Sequence, residues 1–276
     1  MSGTFEFNGR LSYRESGSGI PVVFLHPTPI DHFYWLPMLE GIGGVRAILP
    51  DLRGHGASEI GSGLPVGGFA RVPDAPVLSI AQLATDTLAL LDHLKLSSAV
   101  FVGCSIGGYV TLELWRRAQQ RVRGMAIVCS KAQPDAEGNL AKRAETIDKA
   151  RTEGTAGIFD GNAQTLIGAT ARKRRPEIVA ELRARMTLSP ETVVAVQAGL
   201  ATRPDSVPTI ADIDAPILSI CGGEDPGITA AEMQAFQFAP GGCEFHLLPD
   251  AGHFAAYEQP QKVAALLAPW LRQFMD

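Results

Sequence analysis

Apolar positions along the chain fall into two alternating patterns. Short continuous runs rich in Val, Ile and Leu occupy residues 22–25, 47–49, 99–102, 125–128 and 217–220. Runs with no polar face predict strands covered on both sides, as in a parallel sheet sandwiched by helices. Between them lie stretches with helical period. Residues 79–94 set Ile80, Leu83, Thr87, Leu90, Leu91 and Leu94 on one face, and Ser79 with Gln82 predicts a capping box at its start. Residues 261–274 set Val263, Leu266, Leu267, Trp270, Leu271 and Phe274 along one stripe, with Pro269 expected to kink the helix or restart its turn.

Runs at 4–7 and 11–15, joined through Asn8-Gly9, predict a hairpin at the sheet edge, and 244–248 predicts one more strand. The alternation stops between residues 132 and 209, where helical periods near 140–153, 176–186 and 190–201 occur without a convincing strand. There Ser189 before Pro190 predicts an N-cap followed by proline in the first turn. The pattern as a whole predicts an α/β fold. Its core, residues 1–131 and 210–276, is a mostly parallel, doubly wound, eight-stranded sheet, and residues 132–209 form an inserted helical cap.

Composition sets limits on this picture. With 276 residues, 46% hydrophobic and 19% charged, the chain can bury one large core, which excludes global disorder and a disulfide-stapled miniprotein. Twenty-four Lys and Arg against twenty-nine Asp and Glu give a net charge of −5, so nucleic acid is not an expected partner. The opening MSGTFEFNGR lacks a basic segment followed by an apolar one, and no later run is long enough to span a bilayer. No membrane partner and a cytoplasmic location are therefore expected. Cys104, Cys129, Cys221 and Cys243 lie far apart without metal-ligand spacing and are expected to be buried thiols, with no metal bound.

Candidate chemistry starts at the end of the run 99–102, which leads into Gly103-Cys104-Ser105-Ile106-Gly107-Gly108 and then directly into a helical pattern. A G-x-S-x-G turn between strand and helix is a nucleophile elbow, which projects its serine hydroxyl above the sheet. A hydroxyl needs a base to take its proton and the base needs an orienting carboxylate. His253 follows the strand 244–248, and Asp225 follows the strand ending near Cys221; both sit where the carboxyl ends of parallel strands assemble sites. Neighbouring Glu224 and, more weakly, Asp135 are alternative carboxylates. An acyl-transfer oxyanion needs backbone donors. Ile106 supplies one, and in the Pro27-Thr28-Pro29 stretch that follows His26 only Thr28 can supply the other, because the prolines have no N–H. Phe33, Tyr34 and Trp35 are candidate walls of the substrate pocket, or helix residues packed on the sheet. Arg172-Lys173-Arg174-Arg175 is either a solvated helix end or an attraction for an anionic substrate.

Together these motifs resemble those of the α/β-hydrolase superfamily over roughly residues 20–131 and 210–276. His26-Pro27-Thr28-Pro29 is similar to its H-G-x-P loop, with Pro27 in place of glycine, and Asp51-Leu52-Arg53-Gly54-His55-Gly56-Ala57-Ser58 resembles its D-x-R-G-H-G-x-S turn. The resemblance implies structural roles for His26 and His55. It also implies, through serine rather than aspartate at position 105, an activity like that of small carboxylesterases and 3-oxoadipate enol-lactonases. A small ester or lactone is the expected partner and no cofactor is implied. The alternatives are hydrolysis of a lactone or C–C bond, acyl transfer to an acceptor other than water, and a ligand-binding receptor on the same fold without turnover.

Overall fold

The computed structural model describes residues 1–275. Strands β1 (Ser2–Glu6) and β2 (Arg10–Ser16) form the expected edge hairpin, turning through Asn8 and Gly9 with φ of 51° and 112°. They are followed by β3 (Ile20–Leu25), β4 (Val45–Pro50), β5 (Ala99–Cys104), β6 (Val122–Val128), β7 (Ile217–Gly222) and β8 (Cys243–Leu248). The eight strands form one sheet in the order β1-β2-β4-β3-β5-β6-β7-β8. β1 and β2 pair antiparallel and every pairing from β4 to β8 is parallel.

The two faces of the sheet explain the uninterrupted apolar runs. Val22 and Phe24 of β3 point into one hydrophobic cluster, whereas Val23 and Leu25 point into the other. The first cluster is closed by α1 (Leu36–Leu39) and the last long helix, the second by α2 (Ile80–His93) and α3 (Ile106–Ala118). β8, at the edge, has one buried residue, and its half-covered pattern follows from having no strand beyond it.

Six helices lie between β6 and β7: α4 (Glu137–Thr152), α5 (Ala156–Thr165), α6 (Ala169–Arg174), α7 (Glu177–Arg185), α8 (Pro190–Ala201) and α9 (Val207–Ile210). α8 is buried nearly all round; Val193 and Val194 join one sheet-face cluster while Ala195 and Val196 join the other. It wedges the insert onto the sheet. Beyond β7 come α10 (Ala230–Gln234), α11 (Ala255–Glu258) and α12 (Pro260–Leu271).

Caps and breaks differ in detail from the sequence pattern. Ser79 Oγ accepts the Gln82 N–H at 3.1 Å, but the Gln82 amide turns away to Asp86, 2.9 Å distant, so only half of the expected box forms. Asp86 is itself fixed by a two-pronged pairing with buried Arg53, both contacts 2.8 Å. α12 runs through Pro269 and tightens into a 3-10 turn at Arg272–Phe274.

Candidate active site

Ser105 joins β5 to α3 with φ 52° and ψ −116°, a conformation that costs a non-glycine residue about 1–3 kcal/mol. The surrounding backbone offsets the cost. Ser105 N–H donates to Val128 O at 3.1 Å, and Ser105 O accepts from Gly108 N (2.9 Å), Tyr109 N (3.2 Å) and the Ser130 hydroxyl (2.8 Å). Glycine is required on both sides. A Cβ on Gly103 would lie 2.3 Å from Gly107 O, and one on Gly107 would lie 2.1 Å from Leu25 O. The tight turn thus follows from the motif's small residues.

Asp225, just beyond β7, has a fully buried carboxylate. Its Oδ1 accepts the N–H groups of Gly227 (2.8 Å) and Ile228 (3.1 Å), which leaves Oδ2 to accept His253 Nδ1–H at 2.7 Å. Because the carboxylate only accepts, the neutral imidazole carries its proton on Nδ1 and presents a bare Nε2. Burial alone would lower the His253 pKa, but the Asp225 charge and hydrogen bond, aided by the Glu258 charge, hold it above the ordinary value. Asp225 is held below the usual carboxylate range: desolvation would raise it, and the His253 charge and the donors around it outweigh that.

Ser105, Asp225, His253 and Thr28 line one cavity of about 360 Å³. The insert supplies its opposite wall, in part from Phe159, Leu166 and Val193. Thr28 is fixed by a hydrogen bond between its hydroxyl and His55 Nε2 at 2.9 Å, while His55 Nδ1 faces Arg53 O at 3.0 Å. His26 bridges the same loops, with Nδ1 at 2.9 Å from Pro27 O and Nε2 accepting Leu52 N–H at 2.9 Å. Burial pushes the pKa of His26 down to about 4 and that of His55 to about 3, so both are neutral struts. The backbone N–H groups of Thr28 and Ile106 have no acceptor among the described residues. The Ile106 side chain is 1% exposed, buried with α2 and α3 in the second sheet-face cluster, so that residue can serve only through its backbone.

Other sequence candidates lie elsewhere. Glu224 accepts from both the backbone and the hydroxyl of Thr170, at 2.9 and 2.6 Å, and so ties α6 to the sheet rather than orienting His253. Asp135 lies on the cavity wall, bonded to Arg143 and, at 2.8 Å, to Arg203. Phe33, Tyr34 and Trp35 do not line the cavity. They form a 3-10 turn that directs Trp35 onto Phe24 and Tyr34 onto Cys104, whose Sγ accepts the Tyr34 hydroxyl at 3.2 Å, while the Phe33 ring lies beneath the Arg185 guanidinium. Arg174 pairs with Asp250 at 3.2 Å and Arg175 stacks over Tyr257. The cations on the cavity are instead Lys131, in the loop after β6, and Lys142 and Arg143 on α4; sequence reasoning missed the last two because the orientation of α4 is not fixed by its pattern.

A strained serine at a strand–helix turn and a histidine–aspartate pair from later strand ends define an α/β protein built around a nucleophile elbow. Residues 22–266 match the model of the alpha/beta hydrolase family, and the chain belongs to that family. It is 29% identical over 217 residues to 3-oxoadipate enol-lactonase 2 of Acinetobacter baylyi, covering 76% of this chain and 73% of that one. A thermophilic esterase from Thermogutta terrifontis, solved with malate bound, superposes with a TM-score of 0.87 at 29% identity, over 99% of this chain and 97% of the esterase. The chain is also 27% identical over 266 residues to a 2-succinyl-6-hydroxy-2,4-cyclohexadiene-1-carboxylate synthase of Salmonella arizonae, covering 92% and 95% of the two chains. Family membership therefore leaves the reaction to be argued from the site.

Proposed function

We propose that this chain is a serine hydrolase that cleaves small carboxylic esters through an acyl-enzyme. The observation that carries the reading is the 2.7 Å Asp225–His253 bond beside the elbow serine on one cavity wall. In this mechanism Ser105 Oγ attacks the ester carbonyl as His253 Nε2 takes its proton, and Asp225 stabilises the imidazolium. The unpaired amides of Thr28 and Ile106 receive the oxyanion. Collapse expels the alkoxide, which takes the proton from His253 and leaves as an alcohol. A water molecule, deprotonated by the same imidazole, then releases the carboxylic acid. With a lactone the alcohol stays tethered and one hydroxy acid results; the enol-lactonase relative supports that second reading. A panel of short esters and lactones, scored by kcat/KM, tests it. Turnover of neither class contradicts the proposal.

The cavity wall adds a preference. Lys131 is neutralised by Glu232 at 2.6 Å, but Asp135 is shared between two guanidiniums. Lys142 has no carboxylate partner among the described residues. The excess positive charge favours a substrate that carries its own carboxylate. Lys142→Ala is expected to raise KM for such an ester by about two- to five-fold, the scale of an exposed ion pair, and to leave a neutral ester unaffected. Equal effects on both substrates would contradict the preference.

A further inference from the structure

Glu258 lies five residues beyond His253, on α11, and is 9% exposed. Its carboxylate turns back towards the histidine loop and accepts three backbone N–H groups. Oε2 accepts from Gly252 at 2.8 Å and from Gly168 at 3.1 Å, and Oε1 accepts from Phe254 at 3.1 Å. Gly252 and Phe254 flank His253, whose own N–H donates to Leu166 O, 2.8 Å away in the turn between α5 and α6. Every amide from residue 252 to 254 is thus held by Glu258 or by the insert.

Glycine lets the two backbones meet. A Cβ on Gly252 would lie 2.3 Å from Gly168 N, and a Cβ on Gly168 would lie 2.7 Å from Gly252 N and 2.8 Å from Glu258 Oε2. Underneath, the thiols of Cys104 and Cys129 point at the carbonyls of His253 and Gly252, at 3.7 and 3.6 Å. The loop is pinned from the sheet side and from the insert side.

We propose that Glu258 is a positioning residue for His253: it binds the histidine loop and the α5–α6 turn into one unit, so that docking of the insert sets where the imidazole sits above Ser105. The inference rests on reading His253 as the base. A carboxylate suits the task because it can accept on both oxygens. A carboxamide offers one acceptor oxygen and sets an NH₂ against at least one N–H, so glutamine is not a conservative replacement here.

The test is steady-state kinetics on an ester, with a fluorophosphonate probe to report Ser105 reactivity and circular dichroism to report folding. Glu258→Gln and Glu258→Ala are expected to lower kcat by similar factors of about 10 to 100, the scale of a roughly 1 Å misplacement of a reacting group, with KM within two-fold of wild type. Glu258→Asp, which keeps both acceptor oxygens, should recover part of the loss. Gly168→Ala keeps the Glu258 carboxylate as a chemical group but sets a Cβ 2.6 Å from Glu224 Oε2, 2.7 Å from Gly252 N and 2.8 Å from Glu258 Oε2. It must therefore force the histidine loop and the α5–α6 turn apart, and should lower kcat and slow labelling in the same direction. That variant keeps the idea testable if Glu258→Gln fails to fold. His253→Ala supplies the reference. If it is inactive while folded Glu258→Gln and Gly168→Ala turn over at the wild-type kcat, the positioning role is overturned and the base assignment stands. If His253→Ala retains full activity, the base assignment falls and takes this inference with it.

Discussion

Ser105→Ala is expected to lower kcat for short p-nitrophenyl esters by about 10⁴-fold or more, since removing the nucleophile of a serine–histidine–aspartate unit disables all of it. The fold should survive. The Ser105 side chain makes no capping bond to α3, and the hydrogen bonds that hold the elbow all run through backbone N–H and C=O groups that alanine keeps. The left-handed φ of 52° burdens alanine about as much as serine. Circular dichroism and thermal melting should therefore match wild type while activity disappears. Wild-type turnover by the alanine variant would mean that another group attacks the substrate.

Asp225→Asn should be nearly as severe, about 10⁴-fold in kcat, for a reason specific to the proton on His253. Oδ1 would remain as the acceptor for Gly227 and Ile228, so the NH₂ of asparagine would face Nδ1. The imidazole would then favour the tautomer with its proton on Nε2 and could not accept one from Ser105. The pH dependence carries a second sign. In the proposed mechanism His253 must be neutral to act, and its folded pKa is raised, so wild-type kcat/KM should fall as pH drops through a value above about 6.5. Removing the Asp225 charge removes the main raising influence, so any residual activity of the variant should persist to lower pH. The same linkage means that the stability lent by this ion pair is present below the unfolded histidine value and is lost as pH rises through the raised one. Glu224→Gln is the internal control, because Glu224 holds Thr170 and not His253. A larger loss from Glu224→Gln than from Asp225→Asn would reverse the carboxylate assignment.

How much of this was legible in the sequence differs from element to element. The strands were readable because the sheet is covered on both faces, which turns each into a continuous apolar run; β5 and β7 are buried at every position. Ser105, Asp225 and His253 were readable because each sits in a turn just beyond a strand, where glycine and proline mark the exit from the sheet. α5 and α6 were not. α5 contains two glycines and α6 buries only Ala171, so neither carries an amphipathic stripe. The pocket wall was illegible for a related reason. α4 buries only Ile147 and Ala150, and its polar remainder does not reveal that Lys142 and Arg143 face the cavity. Phe33, Tyr34 and Trp35 illustrate the converse: an aromatic run beside a catalytic loop reads the same in sequence whether it walls a pocket or fills a core. The tight turn decides it, because a 3-10 pitch sends Tyr34 and Trp35 inward together. The contribution of Glu258 was hidden because a lone acid between His253 and the last helical pattern carries no sign that it will gather backbone N–H groups from two separate segments.

The most direct measurement is reaction with a fluorophosphonate followed by mass mapping of the modified peptide. The mechanism predicts one adduct, on Ser105, formed rapidly in the wild type and at least a hundred-fold more slowly in His253→Ala, a conservative bound on the roughly 10²–10⁴-fold that a positioned base contributes. An adduct on a different residue, or labelling of Ser105 at the same rate with and without the imidazole, would contradict it.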